Sequence, residues 1–518
     1  MKPPNNDIIP QGYKMTELGA LPEEWGEKKN IKLYYLKIWR VFLMKLENNT
    51  QIIKTRDDTE PVILEHVQGK DKPVFKLKKD PDCSWIKEKD SEISPKELRE
   101  RIEPWLTALF QSEHISLLIG SGLTTAVHLM ANNVHSIGMS MQEFKTFKDE
   151  INESVKNTAK KTGRGKGNFE DQIRVVNELL AGLNVLALTE TDKTDGKNKK
   201  EIKQKIENLQ QELENALKTF AESILKDENN LITAGAEKRG EAFNYLVSFL
   251  MSFASRTGTR DRLNIFTTNY DRYIELGADI AGLRLIDRFV GTITPIFRAS
   301  RMDIDYHYNP PGIRGEPRYV EGVARYTKLH GSIDWVYNDD EIKRIGLPFG
   351  AKDIDLYFQS CGQGKSDALQ LMIYPNPAKD LETLFYPYSE LFRDFAAAIC
   401  RPNSTLVCYG YGFGDEHINR IIEDMLTIPS THLVIISYSD PNDRIMKKYE
   451  KLRRNAQITL LLGNHLGDLK TLVDHYLPKP AIDRTTIRMA NLIKARLGAQ
   501  DQTEQKQTSE NNEGGTLP

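Results

Sequence analysis

Cysteine is scarce in this chain. There are four in 518 residues, Cys83, Cys361, Cys400 and Cys408, and no two of them make a CxxC pair. Two thiolates are therefore not presented together to a metal, so a structural zinc is not expected. Long apolar runs are missing too. No stretch approaches the roughly 20 residues that span a bilayer, and the opening MKPPNNDIIPQG lacks the apolar centre of a signal peptide. A cytoplasmic protein that does not enter a membrane is expected. Nor is there an excess of one charge. Lys plus Arg number 71 against 73 Asp plus Glu, a net charge of −2, so no global field recruits nucleic acid or membrane and only a local basic patch could do so.

At 518 residues the chain has room for two or three domains, or one large domain with insertions, and for an ample core. The stretch NIFTTNYD, Asn264 to Asp271, organises it. Asn264 to Phe266 reads as a short buried strand, and hydroxyl, amide and carboxylate groups follow just past its end, where ligands bind in open α/β sheets. About sixty residues on, YTKLHGSIDW repeats the arrangement and puts His330 and Gly331 at a strand end. Asn269 supplies an amide able to fix a hydroxyl or a water. His330 supplies an imidazole able to take a proton near neutral pH. Two further strands end in glycine turns: SLLIGSGLTTA (Ser116 to Ala126) and LVCYGYGFGDEHI (Leu406 to Ile418). The first leads into a helix start, which is how nucleotide phosphates meet helix amides.

These four motifs, in this order, resemble those of sirtuins: TTNYD and KLHG the catalytic pair, and the two glycine turns the flanking nucleotide-binding segments. The resemblance covers about Ile115 to Leu469, and the form it takes is the sirtuin-like domain of bacterial anti-phage proteins that hydrolyse NAD. It implies an α/β fold with a doubly wound, Rossmann-like parallel sheet of sirtuin type, a large helical insertion and no zinc ribbon. It implies NAD as substrate, with Asn269 orienting the nicotinamide ribose or the attacking water and His330 acting as general base. NAD contacts are implied at Gly120, Ser121, Gly122, Thr268, Asp271, Gly410, Tyr411 and Gly412, with Asp271 on the carboxamide and no metal. Gly410 and Gly412 are expected to leave room for close backbone approach to the ligand.

The chain departs from the family in three places. The proline-aspartate-phenylalanine-arginine run of the cofactor loop is missing after Gly122, Tyr411 and Phe413 stand where small hydroxyl residues are usual, and the four-cysteine ribbon of protein deacylases is absent. The last departure favours transfer of the ribosyl group to water over transfer to an acyl-lysine. A protein deacylase and a catalytically silent nucleotide sensor are the alternatives. The resemblance further implies a role in anti-phage defence by NAD depletion, with a HerA-type ATPase or another sensor as partner.

The expected organisation begins with an amino-terminal arm of uncertain structure over 1–93, where the alternating Val62, Leu64 and Val67 fit a small hairpin or an ordered arm as well as disorder. The start of the Rossmann domain over 94–132, a helical insertion over 133–260, the remainder of the catalytic domain over 261–498 and a polar, disordered tail over 499–518 follow. GYKMTELGALPEEWG, within the arm, resembles the opening of type I restriction specificity subunits. Ser94-Pro95-Lys96-Glu97 predicts a helix over about 95–111, from a capping hydroxyl, a first-turn proline and a glutamate that reaches back. Inside the insertion, Ile202, Ile206, Leu209, Leu213, Ala216 and Phe220 form a heptad seam, and Thr189 to Lys200 reads as an exposed loop. The seam predicts either a homo-oligomer or a bundle within the chain. Arg301, Arg314 and Arg318 are candidates for a pyrophosphate, with solvated arginines as the default reading. Leu369 to Pro375 reads as a strand. Asp415, Glu416 and His417 invite a metal, but neighbours on a helix start do not face one another, and acidic residues there compensate the helix dipole.

Overall fold

A computed structural model of the chain describes residues 49–479 and the backbone of 13–16 and 19–22. Within 49–479, residues 56, 71, 79–82, 84, 87–90, 135–137, 162–166, 190–195, 255–260, 300–303, 309–317, 339–340, 353–356 and 358–385 lie outside the described residues. The chain divides into two compact units, Met1–Asn48 and Asn49–Pro518. The first contains an antiparallel hairpin, Tyr13–Thr16 with Gly19–Pro22.

The second unit is built on a ten-stranded sheet. In chain order its strands are β1 (Thr50–Lys54), β2 (Val62–His66), β3 (Phe75–Leu77), β4 (His114–Ile119), β5 (Leu263–Thr267), β6 (Arg284–Ile286), β7 (Val323–Lys328), β8 (Ser404–Tyr409), β9 (His432–Ser437) and β10 (Ile458–Leu462). The spatial order is 3-2-1-10-9-8-4-5-7-6. The strands from β10 to β6 in that order pair in parallel. β1, β2 and β3 extend this sheet antiparallel from the β10 edge.

The parallel strands are apolar runs because both of their faces are covered. β5, β8, β9 and β10 are buried along their whole length. Alternate residues of β4, Ile115, Leu117 and Ile119, enter one core with α2 (Ser121–Asn132), α6 (Ala236–Ala254) and α7 (Tyr273–Ala281). On the opposite face, Phe266 of β5 meets Phe395 of α8 (Tyr388–Ile399) edge-on at 4.9 Å. Helices on both faces of a parallel sheet make the fold doubly wound, as the motifs implied.

Helix α1 (Pro95–Phe110) begins where its sequence predicts. Ser94 caps it, Glu97 Oε2 accepts from the Ser94 backbone N–H at 2.7 Å, and Leu98, Ile102, Leu106 and Phe110 are buried along one stripe. Within the stretch 1–93, the strands β1, β2 and β3 belong to the sheet. Buried Gln51 holds the junction: its Oε1 accepts from the backbone N–H of His465 and Leu466 at 3.0 and 3.1 Å, and its Nε2 donates to Asn464.

The insertion is helical as expected: α3 (Lys148–Lys161), α4 (Phe169–Thr189) and α5 (Gly196–Thr233), followed by α6. Ile206, Leu209, Leu213, Ala216 and Phe220 of α5 share a core with Ile173 and Val176 of α4 and Ile151 and Val155 of α3, while Ile202 is partly buried against it. The seam is thus covered within the chain and gives no separate argument for self-association. Of the stretch expected to be a loop over 189–200, Thr189 ends α4 and 190–195 lie outside the described residues. Helix α5 begins at Gly196, since Lys and Glu are good helix formers. The expected strand over 369–375 and the tail lie outside the described residues.

Candidate functional site

β4 and β8 lie side by side, with Leu118 opposite Cys408 and Ile119 opposite Tyr409. The chain continues from β4 to β5 on one side, and β8 lies on the other. This is a topological switch point, and ligands bind outside the carboxyl ends of such strands. Both strands end in glycine turns that touch. Gly120 N–H donates to Tyr409 O at 3.0 Å, and Gly122 N–H to Gly410 O at 3.1 Å. A Cβ on Gly120 would sit 2.5 Å from Gly410 O, and one on Gly122 2.5 Å from Gly410 Cα, while Gly410 itself has φ +61°. The room at Gly410 is therefore filled by Gly122, backbone against backbone, and not kept for a ligand. Gly412 has only ordinary contacts around it, Pro441 Cγ at 3.6 Å and Arg444 at 3.7 Å. Gly120 is the N-cap of α2 and makes no side-chain cap. The Gly122 and Leu123 amides are taken by Gly410 O and Gly120 O, so what this terminus offers an anion is the positive end of the helix dipole.

Asn269 and His330 are brought together by strand register. Lys328 of β7 pairs with Thr267 of β5, so both residues stand two positions beyond one rung of the sheet. Thr267 Oγ1 donates to Ile119 O at 3.0 Å and accepts from Asn269 N–H at 3.1 Å. The Asn269 side chain is oriented by its neighbours: Nδ2 donates to Gly120 O at 3.1 Å and to Thr124 Oγ1 at 3.0 Å. A carbonyl accepts only from a donor, so Nδ2 is held inward and Oδ1 is the atom offered to the cavity. Thr124 Oγ1 then donates to Asp271 Oδ2 at 2.7 Å, and Tyr273 N–H donates to Asp271 Oδ1 at 3.2 Å. Lys328 Nζ donates to the Asp271 carbonyl. Asp271 is thereby fixed to α2 and to the start of α7.

His330 Nε2 lies 2.8 Å from Asp415 Oδ2. Asp415 is also the N-cap of α9 (Glu416–Met425), its Oδ1 accepting from His417 N–H at 3.1 Å. Tyr411 is turned into the protein, its hydroxyl 3.2 Å from both Asp415 O and Asn419 Oδ1, and burial pushes its phenol well above the ordinary range, so it stays a neutral donor. It supports the turn more than it reaches a ligand. Asp440, after β9, accepts from Ile445 and Met446 N–H at 2.8 and 3.0 Å; burial raises its carboxyl, those two donors opposing. Its carboxylate thus satisfies two early amides of α10 (Arg444–Leu452), whose N-cap residue is Asp443.

All ten residues singled out from the sequence line one cavity of about 1290 Å³: Gly120, Ser121, Gly122, Thr268, Asn269, Asp271, His330, Gly410, Tyr411 and Gly412. Small-molecule sites are typically about 300–1,000 Å³, so a dinucleotide has room. Another cavity, about 740 Å³ beside Trp85 and Arg101, lies away from these strand ends. The insertion contributes to the wall of the larger one through Phe220, Ser223, Ile224 and Asp227 of α5. It is also fastened to the catalytic loop. Glu228 and Arg272 form a buried ion pair at 2.6 Å, Arg272 N–H donates to Glu228 Oε1 at 3.1 Å, and Phe220 packs on Tyr270.

Asp415 is the contact the sequence reading missed. It was seen as helix-dipole compensation, which its capping bond supports, but nothing in the sequence links position 415 to position 330. Thr124 was missed as well, inside a motif quoted for its glycines. Arg301 and Arg314 lie outside the described residues, as does the side chain of Arg318. Cys361 does too, while Cys83, Cys400 and Cys408 are free thiols in separate elements. Among the described residues no group of three or more His, Cys, Asp or Glu is placed to hold a metal ion, and no helix is long and apolar enough to cross a membrane.

The sheet, its switch point and the polar groups at the strand ends define a Rossmann-like nucleotide-site α/β domain. Residues 263–461, from β5 almost to the end of β10, match the family model of the SIR2-like domain. The chain thus carries a Sir2-type domain, and with it an NAD-related activity. No curated protein matches the chain.

Proposed function

We propose that this domain hydrolyses NAD to nicotinamide and ADP-ribose. The observation that carries the reading is the placement of Asn269 and His330 beyond one rung of adjacent parallel strands, in the wall of a cavity that also holds the amino terminus of α2. The positive end of the α2 dipole suits the pyrophosphate. Asn269 Oδ1 accepts from a ribose hydroxyl or from the attacking water. As the bond between C1′ and the nicotinamide nitrogen breaks, its electron pair goes to nicotinamide and positive charge develops on the ribose. A water oxygen then bonds to C1′, and its proton passes to His330. Holding the reactants in line and accepting that proton are the protein's contributions.

An acyl-lysine could take the place of water in the same site. With an acylated lysine peptide present, the peptide should stay acylated and the ribosyl product should be free ADP-ribose. Release of deacylated peptide in step with nicotinamide would replace the hydrolase reading with the deacylase one. We extend the proposal to a defence role by NAD depletion under the control of a HerA-type ATPase or another sensor, supported only by the resemblance of the motifs. Self-association is kept as part of that reading, to be tested by light scattering.

A further inference from the structure

We propose that Asp415 is the positioning residue of His330, fixing the imidazole's tautomer and orientation so that Nδ1 is the atom that takes the proton. This rests on the hydrolase reading above. Asp415 Oδ2 lies 2.8 Å from His330 Nε2, and both side chains are buried, 9 % and 8 % exposed. A carboxylate only accepts, so Nε2 carries the hydrogen and the basic lone pair is on Nδ1. When the imidazole takes a proton from water it becomes a cation beside an anion, in a site with little solvent to stabilise it. No bond to substrate is made by Asp415 in this scheme.

The carboxylate is itself held in place. It is the N-cap of α9, with Oδ1 on His417 N–H at 3.1 Å, and its backbone carbonyl lies 3.2 Å from the Tyr411 hydroxyl. His330 has a comparable anchor on its own strand, since Leu329 N–H donates to Thr267 O at 2.8 Å. The pair thus joins the end of β7 to the turn after β8, across the two strands, β4 and β5, that lie between them. The turn after β8 therefore carries the residue that sets the base.

Capping and positioning can be separated, because Asn and Ser cap a helix about as well as Asp but neither brings a fixed anionic acceptor to Nε2. Asp415→Asn and Asp415→Ser should each lower kcat for nicotinamide release by at least about 10-fold, with KM for NAD within about twofold of wild type. Asp415→Asn should cost nothing more when His330 is already Ala. Wild-type kcat in both Asn and Ser variants, with a loss confined to Asp415→Ala, would show a capping role alone and overturn the proposal. A readout independent of turnover is the ¹⁵N spectrum of the His330 ring in the nucleotide-free full chain. It should show the Nε2–H tautomer in the wild type and lose it in Asp415→Asn; the same tautomer in both would also overturn the proposal. A wild type that leaves NAD intact but shows the tautomer change would remove the hydrolase reading and leave the pairing standing.

Discussion

Replacing His330 or Asn269 with Ala is expected to lower nicotinamide release by about 10²-fold or more, while the protein folds and binds NAD nearly as well as the wild type. The two losses have different origins. His330→Ala removes the proton acceptor and leaves Asp415 as a carboxylate without its imidazole partner. Asn269→Ala removes Oδ1 from the cavity and also the Nδ2 donor to Gly120 O and Thr124 Oγ1, so the end of β5 loosens from the glycine turn after β4. Asn269→Asp tests the loss of the Nδ2 donor alone. It keeps an acceptor in the cavity but turns a second acceptor onto the Gly120 carbonyl, and it should fall in both activity and thermal midpoint. Turnover near wild type in both Ala variants, under conditions where the wild type cleaves NAD, would end the assignment of these two residues.

The second large effect is on stability. Arg272→Leu is expected to destabilise the protein by about 3–5 kcal/mol, because it leaves Glu228, whose side chain is 0 % exposed, as a buried charge without its partner. The double variant Glu228→Leu/Arg272→Leu should recover part of the loss. Recovery stays partial because Glu228 also accepts from the backbone N–H of Arg272 and Gly350, at 3.1 and 3.2 Å, and Arg272 donates to Pro348 O at 3.0 Å. In the double variant all three of those backbone groups lose their partners, whereas in the single variant only Pro348 O does. Chemical denaturation of the single and double variants measures this. A loss below about 1 kcal/mol in Arg272→Leu would mean that the pair is open to solvent in solution. Since Arg272 follows Asp271 directly, the same variant should also weaken catalysis through the loop, even where the protein remains folded.

The parallel strands were legible because burial on both faces writes them as short apolar runs ended by glycine or polar turns. HISLLIG, LNIFTTN and STLVCYG each carry that signature, and the register that joins Asn269 to His330 follows once β5 and β7 are neighbours. The capping box at Ser94 and Glu97 was legible for a similar reason: it is a local bond among neighbouring residues. Contacts between distant segments were not. Asp415 and His330 are 85 positions apart, and compensation of the helix dipole was enough to account for the aspartate by itself. The edge strands were visible only as alternating Val62 and Leu64, a pattern that shows a half-buried strand without naming the strand it pairs with. The heptad seam of α5 likewise marked a face to be covered, and the structure shows that α3 and α4 cover it. Gly410 lines the cavity, but the absence of a side chain there admits Gly122 rather than a ligand.

The most direct measurement is product analysis of the full-length wild type with NAD as the only substrate, alongside a binding measurement on the same preparation. The account predicts nicotinamide and ADP-ribose in equal amounts, growing together with time. NAD that binds the protein and is recovered intact would contradict it, and would point instead to a site that senses the nucleotide without cleaving it.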